Sequence, residues 1–392
     1  MQQSSKGNGM FHKPMRLIFC GLSITSSWGN GHATTYRSLI RELSQMGHKI
    51  LFLEQDLPGF SDNRDLLDPP YCETHLYKSL EELKDRFTQE VRNADAVIVG
   101  SHVPCGIEIG EWVLSQANGL PIFYDLDTPL TLSRLSRGSV EYLAIKQIPR
   151  YPLYLSFSGG PILRTLEEIY GSPKARALYC SIDPSHYFPE PQFPKWDLGY
   201  LGNYSDDRQS TLEELLINPA KTWKEGRFVV AGPHYPQSIQ WEENIERIQH
   251  LSPNQHRDFY NRQRFTLNAT RRDMIHAGFS PSIRLFEAAA CGTPIISDYW
   301  PGLEHFFELK TEILISQNRR ETTQYLQQLP EEERLKIAKR AREKVITRHS
   351  SHRRAQELTL LIQETVEEIA VAQARSRTTP WSSNSLISGS LY

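Results

Sequence analysis

Arg284 and Glu287 stand three residues apart in the run SPSIRLFEAAACGTPIIS, a spacing that puts both side chains on one side of a helix. The serines and proline before them predict a helix start at Ser280–Ser282 with Pro281 in the first turn, and Cys291-Gly292 predicts its end. A carboxylate at Glu287 can accept both hydroxyls of a ribose, while the unpaired amides beside Ser280 and Ser282 attract phosphate oxygens. The surrounding helix and strand carry little other polarity, so we read the pair as directed at a ligand rather than as a surface ion pair.

Two more polar loops follow apolar, strand-like runs in the same half of the chain. Gly202-Asn203-Tyr204-Ser205-Asp206-Asp207-Arg208 follows DLGYLG, with Asn203 in the loop and Arg208 opening a helix, and Arg271-Arg272 follow TLN. A guanidinium fixed at such a strand end stabilises charge developing on a departing diphosphate without a metal, a role that Arg208 or Arg271 can fill. Near the N-terminus, Gly29-Asn30-Gly31-His32 lies between a strand and a helix, where small residues let the backbone approach an anionic ligand. Its spacing is not the G-x-G-x-x-G of a dinucleotide site. Asp125-Leu126-Asp127 has the D-x-D form of a diphosphate-bound metal site. It follows PIFY and runs into Thr128-Pro129, however, so it reads as a strand end and turn, and no metal or other cofactor is expected. Asp127 is then a candidate general base or acceptor-hydroxyl contact, in competition with His32 and His102. Trp28, Trp112 and Trp300 are candidates for stacking on a sugar or base, with buried packing the commoner use of tryptophan.

These groups need a scaffold, and the hydrophobic pattern supplies one. From Arg16 the runs RLIFCG, KILFLE, DAVIVGS and PIFYD alternate with amphipathic stretches such as LYKSLEELKDRFTQEVRN, which is the pattern of a parallel sheet covered by helices. Four prolines between Ile182 and Trp196 mark a linker, after which the pattern restarts with DLGYLG and RFVVAG. The expected organisation is a leader over 1–14, a first doubly wound domain over 15–185 and a linker over 186–196. A second such domain then covers 197–348, followed by a helix over 349–373 and a disordered tail over 374–392. Domains of this class bind ligands at the carboxyl ends of their strands, so function belongs in the cleft between them.

The 392 residues suffice for two cores, and the 39% hydrophobic and 23% charged content with a formal charge of -2 gives no basic bias toward nucleic acid. Five scattered cysteines suggest neither a disulfide framework nor a zinc knuckle, and hence a reducing, cytoplasmic setting. No apolar run approaches the length of a bilayer span, leaving peripheral membrane contact as the form of attachment open to the chain. There is no P-loop, no G-x-S-x-G elbow and no H-E-x-x-H, which removes the common NTPase and hydrolase readings.

The run FSPSIRLFEAAACGTPIISDYWPGLEHFF resembles the donor-binding region of GT-B glycosyltransferases, and specifically the CgeB-like, spore-maturation-type group. WGNGHATTYRSLIREL, VGSHVPCGIEIGEWVL, YDLDTP, ALYCSIDPSHYFPE and RFVVAGPHYP extend the resemblance over most of residues 15–350. It implies two Rossmann-like domains facing a central cleft, with the last helix crossing back to the first domain. It also implies transfer of a sugar from a nucleotide-diphosphate sugar to a glycan or small-molecule hydroxyl. The donor would lie on the C-terminal domain and the loop around Gly29-Asn30-Gly31 beside its sugar and phosphates. In the wider superfamily two glutamates stand with seven residues between them; Glu287 matches the second, the ribose binder, and Phe279 takes the place of the first. A non-catalytic sugar-nucleotide binder and a sugar-nucleotide epimerase are the alternatives on the same plan.

Overall fold

The computed structural model describes residues 13–28 and 31–378. Seven strands form the first sheet: β1 (Arg16–Cys20), β2 (Lys49–Gln55), β3 (Glu73–Tyr77), β4 (Ala96–Gly100), β5 (Leu120–Asp125), β6 (Leu153–Ser156) and β7 (Ala175–Ala177). All pairs are parallel, in the order β3-β2-β1-β4-β5-β6-β7. The second sheet holds β8 (Trp196–Leu201), β9 (Phe228–Ala231), β10 (Ile245–Ile248), β11 (Gln263–Asn268), β12 (Ile295–Ser297) and β13 (Leu314–Ile315), parallel in the order β10-β9-β8-β11-β12-β13. Central strands such as β4, AVIVG, are buried at every residue because helices cover both faces, which is why they are continuously apolar rather than alternating.

Strand order reverses between β1 and β4 in the first sheet and between β8 and β11 in the second. At such a reversal the following helices leave to opposite faces, and the loops at the carboxyl ends part to make a crevice. The loops leaving β1, β4, β8 and β11 lead to His32, His102, Arg208 and Arg271 respectively.

The domains meet along these loop edges. The helix Thr128–Leu135 packs on the helix Arg272–Ala277, and the Trp28 ring lies 4.6 Å from that of His250. Phe279 is a further point of contact. Its carbonyl accepts from Gly159 N–H of the first domain at 2.9 Å, and its own N–H donates to Pro301 O at 2.7 Å. A Cβ added at Gly160 would stand 2.3 Å from the ring, and one at Gly302 2.5 Å, so the ring is seated between glycines of the two domains. Beside it the buried Ser158 hydroxyl donates to Ser280 Oγ at 2.8 Å. Phe279 holds φ at +45°, a conformation that costs an aromatic residue energy and that this packing must offset.

The last described residues form two helices. Glu331–Arg348 packs on Ile283–Ala290, and after a break at His349-Ser350 the helix Ser351–Thr378 packs on Gly31–Gln45 of the first domain. The break is tied to the start of the linker, with Ile182 N–H donating to His349 O at 2.9 Å and Ser351 N–H to Ile182 O at 2.8 Å. Ala355, Leu358 and Ile362 enter the first domain's core, and Lys174 Nζ reaches both carboxylate oxygens of Glu368 at 2.9 Å. Val366, one turn beyond Ile362, is 46% exposed. The helix also runs beyond Ala374, where a disordered tail was expected to begin, because ARSRT contains no helix breaker. The rest of that tail and most of the leader lie outside the described residues.

Candidate functional site

On the first domain, β5 delivers Asp127, β4 delivers His102 and the first turn of Gly31–Gln45 delivers His32. The ring nitrogens Nε2 of His102 and His32 stand 3.2 and 3.5 Å from the same oxygen of Asp127, Oδ2. The two rings meet edge to face at 5.3 Å. Burial raises the Asp127 pKa, but contact with His102 and His32 outweighs it and holds the carboxyl well below the usual range, so Asp127 is an anion at neutral pH. The three competing base candidates are therefore one constellation. Each offers one ligand atom, all within 4.8 Å of one another, so this is also the group that fits a divalent ion among the described residues.

Asp125 does not join them. It is fully buried, accepts from Tyr154 OH at 2.7 Å and Thr131 Oγ1 at 2.8 Å, and burial pushes its pKa up. The two carboxylates of the D-x-D thus face different surroundings, one inside the fold and one at its edge. The loop before His32 is fixed by Glu54, a buried carboxylate at the end of β2 that accepts from Ile24 N–H at 2.7 Å and Thr25 N–H at 3.0 Å, and from the Ser23 and Thr25 hydroxyls. Those amides are thereby turned into the fold. Gly31 opens the helix, while Gly29 and Asn30 lie outside the described residues.

On the second domain, Arg208, Arg271 and Arg284 lie close enough that the positive charges of Arg284 and Arg271 add to burial in lowering the pKa of Arg208. Arg208 is 6% exposed; it donates Nη2 to the Asn203 carbonyl at 2.6 Å, and its Nε is buried without a hydrogen-bond partner. None of the three enters an ion pair among the described residues. Asp207 is the nearby anion, and it is engaged by Ser205 Oγ and by Arg272 N–H at 2.8 Å, where it caps the helix Arg272–Ala277. Thr270, held by its N–H and hydroxyl to Asp298 at 3.1 and 2.8 Å, fixes the other side of Arg271. Arg208, buried with its Nε unpartnered and with the charges of Arg284 and Arg271 near it, makes a standing demand for an anion.

Three sequence expectations change here. Glu287 is 3% exposed and already accepts from Tyr187 OH at 2.9 Å and Tyr260 OH at 3.1 Å, with His256 Nδ1 at 3.6 Å. Oε1 meets one of these groups and keeps a lone pair, whereas Oε2 meets both Tyr260 and His256, so the carboxylate is first of all a structural hub. Ser280 is spent at the domain junction rather than at the helix start. That helix begins at Ile283, and Ser282 caps it by accepting from Arg284 N–H at 3.4 Å. Trp112 and Trp300 are core residues, whereas Trp28 remains 53% exposed on the domain junction. Sequence reasoning missed Tyr187, Tyr260 and His256, which stand far from Glu287 along the chain and have no periodic signal.

Residues 208–359 match the family model described as glycosyl transferase-like. No curated protein matches the chain. Among solved structures, sucrose-phosphate synthase from Thermosynechococcus elongatus is 12% identical with a TM-score of 0.64, over 90% of this chain and 100% of that one. Anabaena Alr3699/HepE in complex with UDP and glucose is 12% identical with a TM-score of 0.66, over 89% and 100%. An alpha-glucosyltransferase in complex with UDP-glucose and DNA containing an abasic site is 13% identical with a TM-score of 0.64, over 90% and 100%. The shared arrangement is the two-domain GT-B fold. No helix among the described residues is long and apolar enough to cross a membrane.

Proposed function

We propose that the chain is a glycosyltransferase that moves a sugar from a nucleotide-diphosphate sugar to an acceptor hydroxyl, with the donor on the C-terminal domain. The observation that carries this is the pairing of two crevices: unpaired Arg208, Arg271 and Arg284 on one side, and the His32–His102–Asp127 constellation on the other. The glycosyl transferase-like match over 208–359 and solved relatives holding UDP and glucose or UDP-glucose support it. The arginines take up the charge that grows on the diphosphate as the glycosidic bond breaks, and helix starts add to that field. Asp127, kept ionised, accepts a hydrogen bond from the incoming hydroxyl and orients the two imidazoles, and the trio as a unit receives the proton. No step calls for a metal.

Near-neutral charge favours a glycan or small-molecule acceptor over nucleic acid. The runs around Glu287 and His102 support kinship with the CgeB-like group, and five free cysteines support a reducing, cytoplasmic setting. Thermal-shift screening against UDP, GDP, ADP and dTDP with their sugars tests the donor reading: a bound nucleotide raises the melting temperature by mass action, and Arg208→Gln abolishes the rise. A screen in which no nucleotide stabilises the chain counts against it.

A further inference from the structure

We infer that Asp125, Thr131 and Tyr142 are positioning residues that hold His102 and Asp127 in contact. Asp125 ends β5 with no exposure, and its Oδ1 accepts from Asp127 N–H at 3.2 Å, so the turn that presents Asp127 is folded around it. The same oxygen accepts from Thr131 Oγ1 at 2.8 Å, one turn into the helix Thr128–Leu135. Thr131 has a single hydroxyl proton. With that proton given to Asp125, its oxygen receives the Tyr142 hydroxyl at 2.9 Å, which fixes the donor order from Tyr142 through Thr131 to Asp125.

Tyr142 is thereby anchored by its hydroxyl, and its ring lies 4.5 Å from the His102 ring at 37°. Its backbone is pressed against Gly106, where an added Cβ would fall 2.8 Å from Tyr142 Cα, Cβ and O. His102 needs such a support because its φ of +62° leaves it in a turn without a regular hydrogen-bond ladder. One buried carboxylate thus reaches both ends of the His102–Asp127 contact: Asp127 through its N–H, and His102 through a threonine, a tyrosine hydroxyl and a ring face. Among the described residues no hydrogen bond joins Tyr142 or Thr131 to Arg208, Arg271 or Arg284, so their effect passes through His102. Burial and Asp125 push the Tyr142 pKa up, so its hydroxyl remains a donor across the working pH range.

The catalytic consequence rests on the transfer reading above, whereas the geometric statement does not, and the test separates them. Histidine-ring nitrogen NMR on the full chain without ligand, with His102 assigned by the His102→Gln spectrum, reports the contact directly. Thr131→Val and Tyr142→Ala are expected to shift the His102 signals and leave those of His75 unchanged, while Tyr142→Phe, which keeps the ring face, shifts them less. With a donor that the wild type turns over, the first two variants are expected to lower kcat about tenfold with KM within about twofold. Unmoved His102 signals in both Thr131→Val and Tyr142→Ala would overturn the inference. If Tyr142→Ala does not fold, Thr131→Val, which removes only the hydroxyl link, decides. Shifted signals with no turnover by any form would sink the transfer reading and leave the positioning role standing.

Discussion

Replacing Glu287 by alanine removes the shared acceptor of two buried tyrosine hydroxyls. Tyr187 and Tyr260 are 6% and 1% exposed, so water has little access to the vacated hydrogen-bonding positions. A buried donor left without its partner costs about 1–3 kcal/mol, so two give roughly 2–6 kcal/mol, and relief of the burial cost of the charge offsets part of it. A net loss of about 2–4 kcal/mol is therefore expected, equivalent to roughly 4–16 °C in melting temperature for a domain of this size. Glu287→Gln keeps the volume and one carbonyl oxygen, while its amide can donate to the other tyrosine, so it is expected to cost less than about 1 kcal/mol. The pair separates the two roles of the residue. If the carboxylate also holds a ribose, Glu287→Gln weakens nucleotide binding by about 1–3 kcal/mol while melting near the wild type.

The acid limb gives a further check. The His256 and Tyr187 contacts outweigh burial and lower the Glu287 pKa below its ordinary value of 4.5. Its stabilising contribution is therefore full above that value and lost as the pH falls through the lower, folded one. Calorimetric melting from pH 7 to pH 3 should show a shallower acid decline for Glu287→Gln than for the wild type. An alanine variant that melts with the wild type, or a glutamine variant as damaged as alanine, would refute the hub argument.

Four other outcomes follow from named contacts. Gly160→Ala places a Cβ against the Phe279 ring at a positive-φ site, and scattering should report a larger radius of gyration, with no change counting against Phe279 as the junction. Termination after Arg348 removes Leu358 and Ile362 from the first domain's core and should lower its stability by several kcal/mol in a denaturant melt, whereas termination after Thr378 should leave the melt unchanged. Arg284→Gln should weaken nucleoside diphosphate binding by about 1.5–3 kcal/mol by calorimetry, and equal affinity would remove it from the anion site. Turnover should persist in excess chelator; loss restored by manganese would instead give His32, His102 and Asp127 a metal.

The strands, their parallel sense and the loops at their carboxyl ends were legible because continuous apolar runs and helical periodicity are local signals. The placement of Arg208, Arg271, His32 and His102 after strand ends was legible by that route. That His32, His102 and Asp127 form one group was not legible, as the contact depends on the strand order β1-β4-β5, which periodicity does not encode. The same limit hid the tyrosines around Glu287, one in the linker and one in a short helix. The contact of Ser280 with Ser158 was not legible because a serine near a helix start has the same signature whether it caps, binds an anion or joins two domains. Phe279 stood out as a departure from the superfamily pattern, but its seat between Gly160 and Gly302 is a contact across domains that only the folded chain displays.

Mass-spectrometric analysis of the full chain with a panel of nucleotide sugars, with and without simple glycan acceptors, separates sugar transfer from its alternatives. Sugar transfer gives slow release of nucleoside diphosphate from at least one donor, faster with a competent acceptor, and a product heavier than that acceptor by one sugar residue. That release is expected to fall by about a hundredfold or more in Asp127→Asn and in Arg208→Gln. Binding of a donor without any nucleotide release would mark a non-catalytic binder, and a rearranged donor of unchanged mass would mark an epimerase; either result would contradict sugar transfer.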